Sequence, residues 1–298
     1  MTVCVTAICA ENIIFGASDR MLTAGDIQFQ PQQPKLLPIT TSVVTQIAGD
    51  ASIQADIISL VIADVKQRVE AKPTEWLNVR DVAGLYCHYY DELRLARTEH
   101  AILAPLGLDR NTWLTKQNGM DPTLVKNIAT ELMNYEFPLT AAIFSGVDNS
   151  RAHIYVARGG VLTCQDIVGF AAIGAGEWHA NSQLMFAGHT RHKSLPETLL
   201  SVYSAKKRAE VAPGVGEATD MFTIGPLLGS FMQLLPVMLD SVDAIYKNEQ
   251  KRHFEANGTA KNEAGQYVNE LSKRAAAETQ ATKSADTGRE TPADKSQV

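Results

Sequence analysis

The chain has 298 residues, of which 45% are hydrophobic and 20% are charged, and its formal net charge is −6. This length suits one large domain or two ordinary ones, with enough apolar residues for a sizeable core. The mildly acidic balance argues against nucleic acid or an anionic membrane as the main partner.

Membrane, secretion and metal-site signals are missing from the sequence. No uninterrupted apolar stretch reaches the roughly 20 residues needed to span a bilayer, and the segment after Met1 lacks the basic region of a signal peptide. The four cysteines are widely separated, without the CxxC spacing typical of zinc or redox sites: Cys4, Cys9, Cys87 and Cys164. We therefore expect a cytoplasmic protein with four reduced, mostly buried thiols and no metal.

The N-terminal part of the chain alternates side chains with a period of two, which predicts strands. Both faces of the first segment, Val3 to Cys9, are largely apolar, as is typical of a strand covered on both sides. The Glu11-Asn12 pair supplies a turn to a return strand. Strands are therefore predicted at 3–9, 13–17, 27–30, 35–37 and 42–48.

Helical periodicity begins at Ala51, and Pro73 ends the helix that it predicts. Asp121-Pro122 begins a later helix with an acidic N-cap and a proline at the first helical position. The segment 97–120 has two glycines, a proline and mixed polarity, and we interpret it as a helical insertion. Helices are therefore predicted at 51–69, 79–96 and 121–135.

The second half of the chain repeats this order of strands followed by helices. Strands are predicted at 139–144, 153–157, 161–164 and 221–224, and helices at 178–186, 197–210 and 227–249. Runs of strands alternating with pairs of helices favour an α+β protein, with two sheets packed face to face and helices outside them. Beyond about Asn257 apolar residues become sparse, which predicts a disordered or marginally helical tail. The expected division is a domain at 1–225, a C-terminal helical extension at 226–256 and a polar tail at 257–298.

Thr2 is the clearest candidate for a catalytic residue. A small residue at position 2 permits removal of Met1, which would leave the threonine with a free α-amine. Such an amine has a pKa of about 7.7–8.0, so it can accept the proton of the hydroxyl on the same residue. A terminal threonine therefore carries both a nucleophile and its base, whereas an internal threonine does not.

Several short motifs follow Thr2 at characteristic distances. They are Thr2-Val3-Cys4-Val5-Thr6-Ala7, Gly16-Ala17-Ser18-Asp19-Arg20, Thr23-Ala24-Gly25, Lys35 and Ile47-Ala48-Gly49-Asp50-Ala51. This set resembles the proteasome β-subunit and HslV family of N-terminal nucleophile hydrolases, which includes bacterial proteasome-type proteases. The resemblance covers residues 2–224 except the insertion. It implies a four-layer αββα sandwich, in which two antiparallel sheets lie between layers of helices.

The resemblance also implies a role for each matching residue. Thr2 would be the nucleophile, Lys35 would lower the pKa of its hydroxyl, and Asp19 would pair with Lys35 and orient it. The backbone N–H of Gly49 would face the developing oxyanion near a helix N-terminus. The substrate-binding positions implied in the same way are Arg20, Thr23, Gly25 and Ala51, with Thr23 on the edge that pairs with an extended peptide.

Two positions depart from the family pattern. Ala175 stands where a serine is expected near the nucleophile, and Ser201 stands where an aspartate is expected. Ser182, Ser204 or Glu177 are candidates to replace the missing groups. These departures leave a non-catalytic assembly subunit as an alternative to the enzyme, and a hydrolase of small amides as a second one.

The function expected from the resemblance is hydrolysis of peptide bonds after removal of Met1. The partners would be a peptide or protein substrate and further copies of the chain in a ring or stacked rings, without nucleic acid or membrane. An ATPase that delivers substrates is common among such proteases, and the sequence does not identify one. The reaction needs no cofactor. The basic run Lys206-Lys207-Arg208 is interpreted as the solvated face of a helix.

Overall fold

A computed structural model of the protein describes residues 2–24, 27–29, 35–149 and 151–287. The chain divides into two compact units, residues 1–242 and residues 243–298. The strands are β1 (Val3–Ile8), β2 (Ile14–Asp19), β3 (Leu22–Ala24), β4 (Ile27–Phe29), β5 (Leu36–Pro38), β6 (Val43–Gly49), β7 (Thr140–Val147), β8 (Ala152–Arg158), β9 (Val161–Cys164), β10 (Phe170–Gly174), β11 (Thr219–Ile224) and β12 (Met232–Gln233). The α-helices are α1 (Ala51–Ala71), α2 (Val79–Ile102), α3 (Arg110–Lys116), α4 (Pro122–Asn134), α5 (Glu177–Phe186), α6 (Leu195–Ala209) and α7 (Pro236–Thr287).

The first unit contains two five-stranded antiparallel sheets. The first sheet has the order β10-β1-β2-β11-β12 and the second has the order β5-β6-β7-β8-β9, while β3 and β4 form a separate hairpin. In the first sheet β1 and β2 are antiparallel neighbours, with Cys4 opposite Ser18. The end of β2 therefore lies beside the start of β1, which places Asp19 next to Thr2.

The core consists of apolar clusters on both faces of the second sheet. One cluster joins the two sheets and includes Ile8, Ile14, Ile143 and Phe222. The other joins the second sheet to α1 and α2, while α5 and α6 pack against the first sheet. Every residue of β1 is buried, which explains why both faces of that strand are apolar in the sequence.

The α+β class with two antiparallel sheets is confirmed, and the differences concern particular elements. Strand β10 was not predicted, because three of its five residues are alanine or glycine, which are depleted in strands. Helix α2 continues to Ile102 instead of ending at residue 96, since no glycine or proline interrupts it there. The helix predicted from residue 227 begins at Pro236, because the intervening segment forms β12.

The described residues of the second unit, 243–287, are helical as part of α7. The helix continues to Thr287, whereas we expected a disordered or marginally helical tail from residue 257. Within the described ranges, no helix combines the length and hydropathy of a membrane span.

An ion-pair cluster holds the hairpin of β7 and β8. His153 Nδ1 lies 2.6 Å from Asp166 Oδ2, and its Nε2 lies 3.3 Å from Asp148 Oδ1. Both ring nitrogens thus face carboxylates, which favours the doubly protonated imidazolium. The hydrogen bond to Asp166 raises the pKa of His153.

This geometry predicts a pH dependence of stability. A histidine whose pKa is higher in the folded than in the unfolded protein stabilises the fold fully at pH values below its unfolded-state pKa. This stabilisation is lost as the pH rises through its folded-state pKa. We expect the difference in unfolding free energy between the wild type and His153→Gln to shrink from about pH 6 to pH 8.5. Urea denaturation of both proteins across this range measures it. A constant difference would contradict the assignment.

Candidate active site

Three elements bring Thr2, Asp19 and Lys35 into one buried group. Thr2 precedes β1, Asp19 ends β2, and Lys35 precedes β5 in the other sheet. The Thr2 hydroxyl donates a hydrogen bond to Asp19 Oδ1 and accepts one from Lys35 Nζ. Lys35 Nζ also lies 2.9 Å from Asp19 Oδ1. These atoms connect the hydroxyl, the ammonium and the carboxylate directly, and the three residues are at most 7% exposed.

Contacts between the sheets explain how Lys35 reaches Thr2. The carbonyl of Lys35 accepts a hydrogen bond from Ile47 N at 3.2 Å, and the carbonyl of Ile47 accepts one from Cys4 Sγ at 3.5 Å. Lys35 Nζ also donates to the carbonyl of Met21. Lys35 is thus fixed between β6 and the segment that follows β2.

The Asp19 carboxylate is held by backbone groups as well as by side chains. Oδ1 accepts from Val3 N at 2.9 Å, and Oδ2 accepts from Met21 N at 2.9 Å and from Gly216 N at 3.0 Å. A buried carboxylate is costly unless its lone pairs are satisfied. This set of donors supplies that compensation and fixes the orientation of the carboxylate towards Lys35.

The thiol beside this group is a poor competing nucleophile. Cys4 is fully buried, and burial raises the pKa of its thiol to about 12. Because the thiolate is the reactive form of cysteine, Cys4 stays inert near neutral pH. All four cysteines are free; Cys9 is also buried, Cys87 is half-buried and Cys164 is exposed.

Gly49 lies at the junction of β6 and α1. The Asp50 side chain caps α1 by accepting hydrogen bonds from Ser52 N at 2.9 Å and Ile53 N at 3.0 Å. A cavity of about 320 Å³ is lined by Gly49 on one side and by Gly174 and Ala175 on another. Gly174 adjoins the nucleophile candidate, since a Cβ on Gly174 would lie 2.4 Å from the carbonyl oxygen of Thr2. The cavity therefore lies between Gly49 and the turn that contacts Thr2.

Gly49 cannot be replaced without strain. Its φ is +108°, and an added Cβ would lie 2.5 Å from the carbonyl oxygen of Leu139. Gly49→Ala is therefore expected to lower the unfolding free energy by about 2 kcal/mol or more, as measured by urea denaturation. Gly84→Ala is the matched control. It lies in α2 with nothing within 4 Å of an added Cβ, and should stabilise by about 0.5–1 kcal/mol. Equal effects of the two substitutions would contradict the argument.

The predicted substrate-binding residues have different surroundings. Arg20 forms a bidentate pair with Asp220, at 2.8 Å from Nε to Oδ2 and 2.5 Å from Nη2 to Oδ1. Thr23 lies in β3 opposite Gln28. Ala51 is the exposed first residue of α1. Gly25 lies outside the described residues.

The candidates for the missing orienting groups are likewise dispersed. Ser182 is exposed on α5, and Ser204 is buried on α6. Glu177 forms an ion pair with Arg158 at 2.6 Å. Ser201 is half-buried, and Ala175 lines the cavity of about 320 Å³.

Two backbone donors at this site were not predicted. Gly216 N binds Asp19, and Gly176 N donates to the carbonyl of Thr2 at 3.2 Å.

Lys206 is fully buried, so its interpretation as part of a solvated face was wrong. Its i, i+4 spacing to Glu210 indicates an ion pair, but nothing in that spacing signals burial.

Comparisons with known proteins do not extend this picture. A scan against models of protein families finds no match. A search of curated proteins also finds no match. Among the residues that the structure describes, no group of three or more His, Cys, Asp or Glu side chains could hold a metal ion.

Proposed function

We propose that this protein is a threonine-type N-terminal nucleophile hydrolase that cleaves peptide bonds, similar to proteasome β-subunits and HslV. Thr2, freed of Met1, is the nucleophile. The observation that carries the proposal is the buried group in which Thr2 Oγ1 contacts both Lys35 Nζ and Asp19 Oδ1. A lysine and an aspartate buried beside a single hydroxyl provide the charge and orientation that an activated nucleophile requires.

We also propose that the chain has the four-layer αββα arrangement of this class. Support comes from the packing of α1 and α2 against the second sheet, of α5 and α6 against the first, and of the two sheets against each other. A helix layer on each outer face is the arrangement expected for two sheets that share one apolar interface.

The proposed reaction begins with the α-amine of Thr2. The amine accepts the hydroxyl proton, directly or through water, while Oγ1 forms a bond to the substrate carbonyl carbon. Lys35 stabilises the negative charge that develops on Oγ1, and Asp19 keeps Lys35 in place. The leaving amine takes the proton from the α-ammonium as the peptide bond breaks, which leaves an ester on Thr2. Water then attacks the ester carbonyl and gives one proton to the α-amine. The ester C–O bond to Thr2 breaks, Oγ1 takes that proton back from the α-ammonium, and the acid product departs.

The transition state places negative charge on the former carbonyl oxygen. In the proposal, the backbone N–H of Gly49 stabilises this oxyanion at the end of the cavity of about 320 Å³. The nearby N-terminus of α1 adds a favourable dipole for a negative charge. An extended substrate would run along β3, the strand that contains Thr23.

The alternatives are a non-catalytic assembly subunit and a hydrolase of small amides. Ala175 and Ser201 favour the assembly subunit, because neither position supplies the serine and aspartate groups that would orient the amine. The buried contacts among Thr2, Lys35 and Asp19 favour an enzyme, since an assembly role has no need for a charged pair around a hydroxyl. Assembly into rings, an ATPase partner and a cytoplasmic location remain proposals of the same kind.

The decisive experiment is intact-protein mass spectrometry after incubation with an α′,β′-epoxyketone peptide, a reagent that requires a hydroxyl and a free amine on one residue. Loss of Met1 with an adduct on Thr2 is the expected result. Retention of Met1 would make the assembly subunit the better proposal. Loss of Met1 without an adduct would contradict a competent peptide-cleaving site, and small amides would then be assayed.

A further inference from the structure

Lys206 forms a buried connection between α6 and the loop before β11. Its ammonium donates to Glu210 Oε1 at 2.5 Å, to the carbonyl of Gly216 at 3.0 Å and to the carbonyl of Glu217 at 2.7 Å. An ammonium has three N–H groups, so these acceptors match its full donor capacity. The side chain is 0% exposed, although it lies within a run of three basic residues.

The loop held by Lys206 reaches the candidate nucleophile. Gly216 accepts from Lys206 through its carbonyl and donates through its amide to Asp19 Oδ2 at 3.0 Å. The other carboxylate oxygen, Asp19 Oδ1, contacts Thr2 and Lys35. A series of contacts therefore runs from Lys206 to the carbonyl of Gly216, through the backbone of that residue to its N–H, and then through Asp19 to Thr2.

The environment of Lys206 shows that this connection has an energetic cost. Burial lowers the pKa of Lys206, and the hydrogen bond to Glu210 opposes that effect. A buried ammonium is tolerated where a charge partner and further acceptors surround it, and removal of such a group leaves those acceptors unsatisfied. Loss of the ammonium would remove this donor from the carbonyls of Gly216 and Glu217 and so loosen the segment in which the N–H of Gly216 binds Asp19.

We infer that Lys206 is a positioning residue for Thr2. Together with Glu210 it fixes the backbone on the C-terminal side of Gly216, and the N–H of Gly216, in the preceding peptide group, holds Asp19 in the orientation that binds Lys35 and Thr2. This inference rests on the proposed function, because the group being positioned is the proposed nucleophile. Lys206 acts through Asp19 and does not itself touch the cavity beside Gly49.

The test compares Lys206→Met with Lys207→Met in the full-length chain. Lys207 is the matched control: it lies next to Lys206 and shares Glu210 with it at 3.0 Å, whereas the bonds to the carbonyls of Gly216 and Glu217 come from Lys206. One readout is the rate of Thr2 labelling by the epoxyketone peptide, separated into kinact and KI. The other is amide hydrogen exchange of residues 214–217, which does not depend on activity.

For Lys206→Met we expect kinact to fall by about 100-fold, the scale of a displaced reacting group, with KI unchanged. Exchange at 214–217 should accelerate in the same variant. Lys207→Met should change neither readout. If Lys206→Met does not fold, Glu210→Gln is the second variant, with a smaller decrease in kinact and the same acceleration of exchange expected.

The possible failures are distinguishable. A wild-type protein that takes no label at Thr2 would overturn the proposed function, and with it the positioning role. A labelled wild type together with unchanged kinact in folded Lys206→Met or Glu210→Gln would overturn the positioning role alone. A rise in KI as large as the fall in kinact would also overturn it, because weaker binding of the reagent indicates damage to the substrate cavity.

Discussion

Replacing Thr2 by alanine is expected to abolish covalent labelling and peptide turnover while leaving the fold intact. Turnover should fall on the order of 10⁶-fold, as when a hydrolase loses its nucleophile. Stability should fall by only about 1–2 kcal/mol, because Asp19 keeps Lys35 and three backbone N–H groups as partners. Mass spectrometry, a fluorogenic peptide assay and urea denaturation measure these effects.

Thr2→Ser is the matched control for this substitution. Serine retains the hydroxyl and the α-amine, so labelling at residue 2 should persist. Both substitutions keep a small residue after Met1, and the mass of each variant establishes whether the methionine has been removed. Turnover by Thr2→Ala at the wild-type rate would contradict the mechanism, since residue 2 would have no hydroxyl to act as the nucleophile.

Replacing Lys35 by methionine is expected to have the second largest effect. Methionine keeps most of the length of the stem but removes the ammonium that contacts Thr2 Oγ1 and Asp19 Oδ1. Labelling and turnover should fall by about 10²- to 10³-fold, as for the loss of one preorganised donor. The unfolding free energy should drop by about 3 kcal/mol, because a buried carboxylate loses its charge partner.

Lys66→Met is the control for the loss of a lysine charge, since the Lys66 side chain is 75% exposed on α1. It should change labelling and stability little. Asp19→Asn should lower the unfolding free energy more than Lys35→Met does. The amide nitrogen of the asparagine would face N–H donors that now bind a carboxylate oxygen. An unchanged labelling rate for Lys35→Met would show that Lys35 is not the charged partner of the nucleophile.

The elements with clear periodicity or punctuation were predictable from the sequence. An apolar run located β1, the Glu11-Asn12 turn located the return strand β2, and the Asp121-Pro122 pair marked the start of α4, where Asp121 accepts from Thr123 N and Leu124 N. Strand β10 was missed because three of its five residues are alanine or glycine, types that are depleted in strands. The extent of α7 was missed because its sequence is too polar for an apolar stripe to define it.

The candidate site was likewise predictable only in part. The resemblance of the motifs to a known family implied that Thr2, Asp19 and Lys35 form one group, and these residues lie in direct contact. The roles given to them, and the role of Gly49, stay predictions. Arg20 was assigned to substrate binding, but its contact with Asp220 joins residues 200 positions apart that no local pattern connects.

The sequence by itself determined the two strands of the N-terminal hairpin and the cap of α4, which depend on local apolar patterns and turn chemistry. The grouping of Asp19 and Lys35 with Thr2 was implied by the resemblance of the motifs to a known family. Only the tertiary structure decided that Lys206 is buried and that Gly216 donates to Asp19, a contact between residues 197 positions apart. Burial and long-range hydrogen bonds arise when distant segments pack together. A run of basic residues on a helix has the same sequence pattern whether all of its lysines are exposed or one of them is buried.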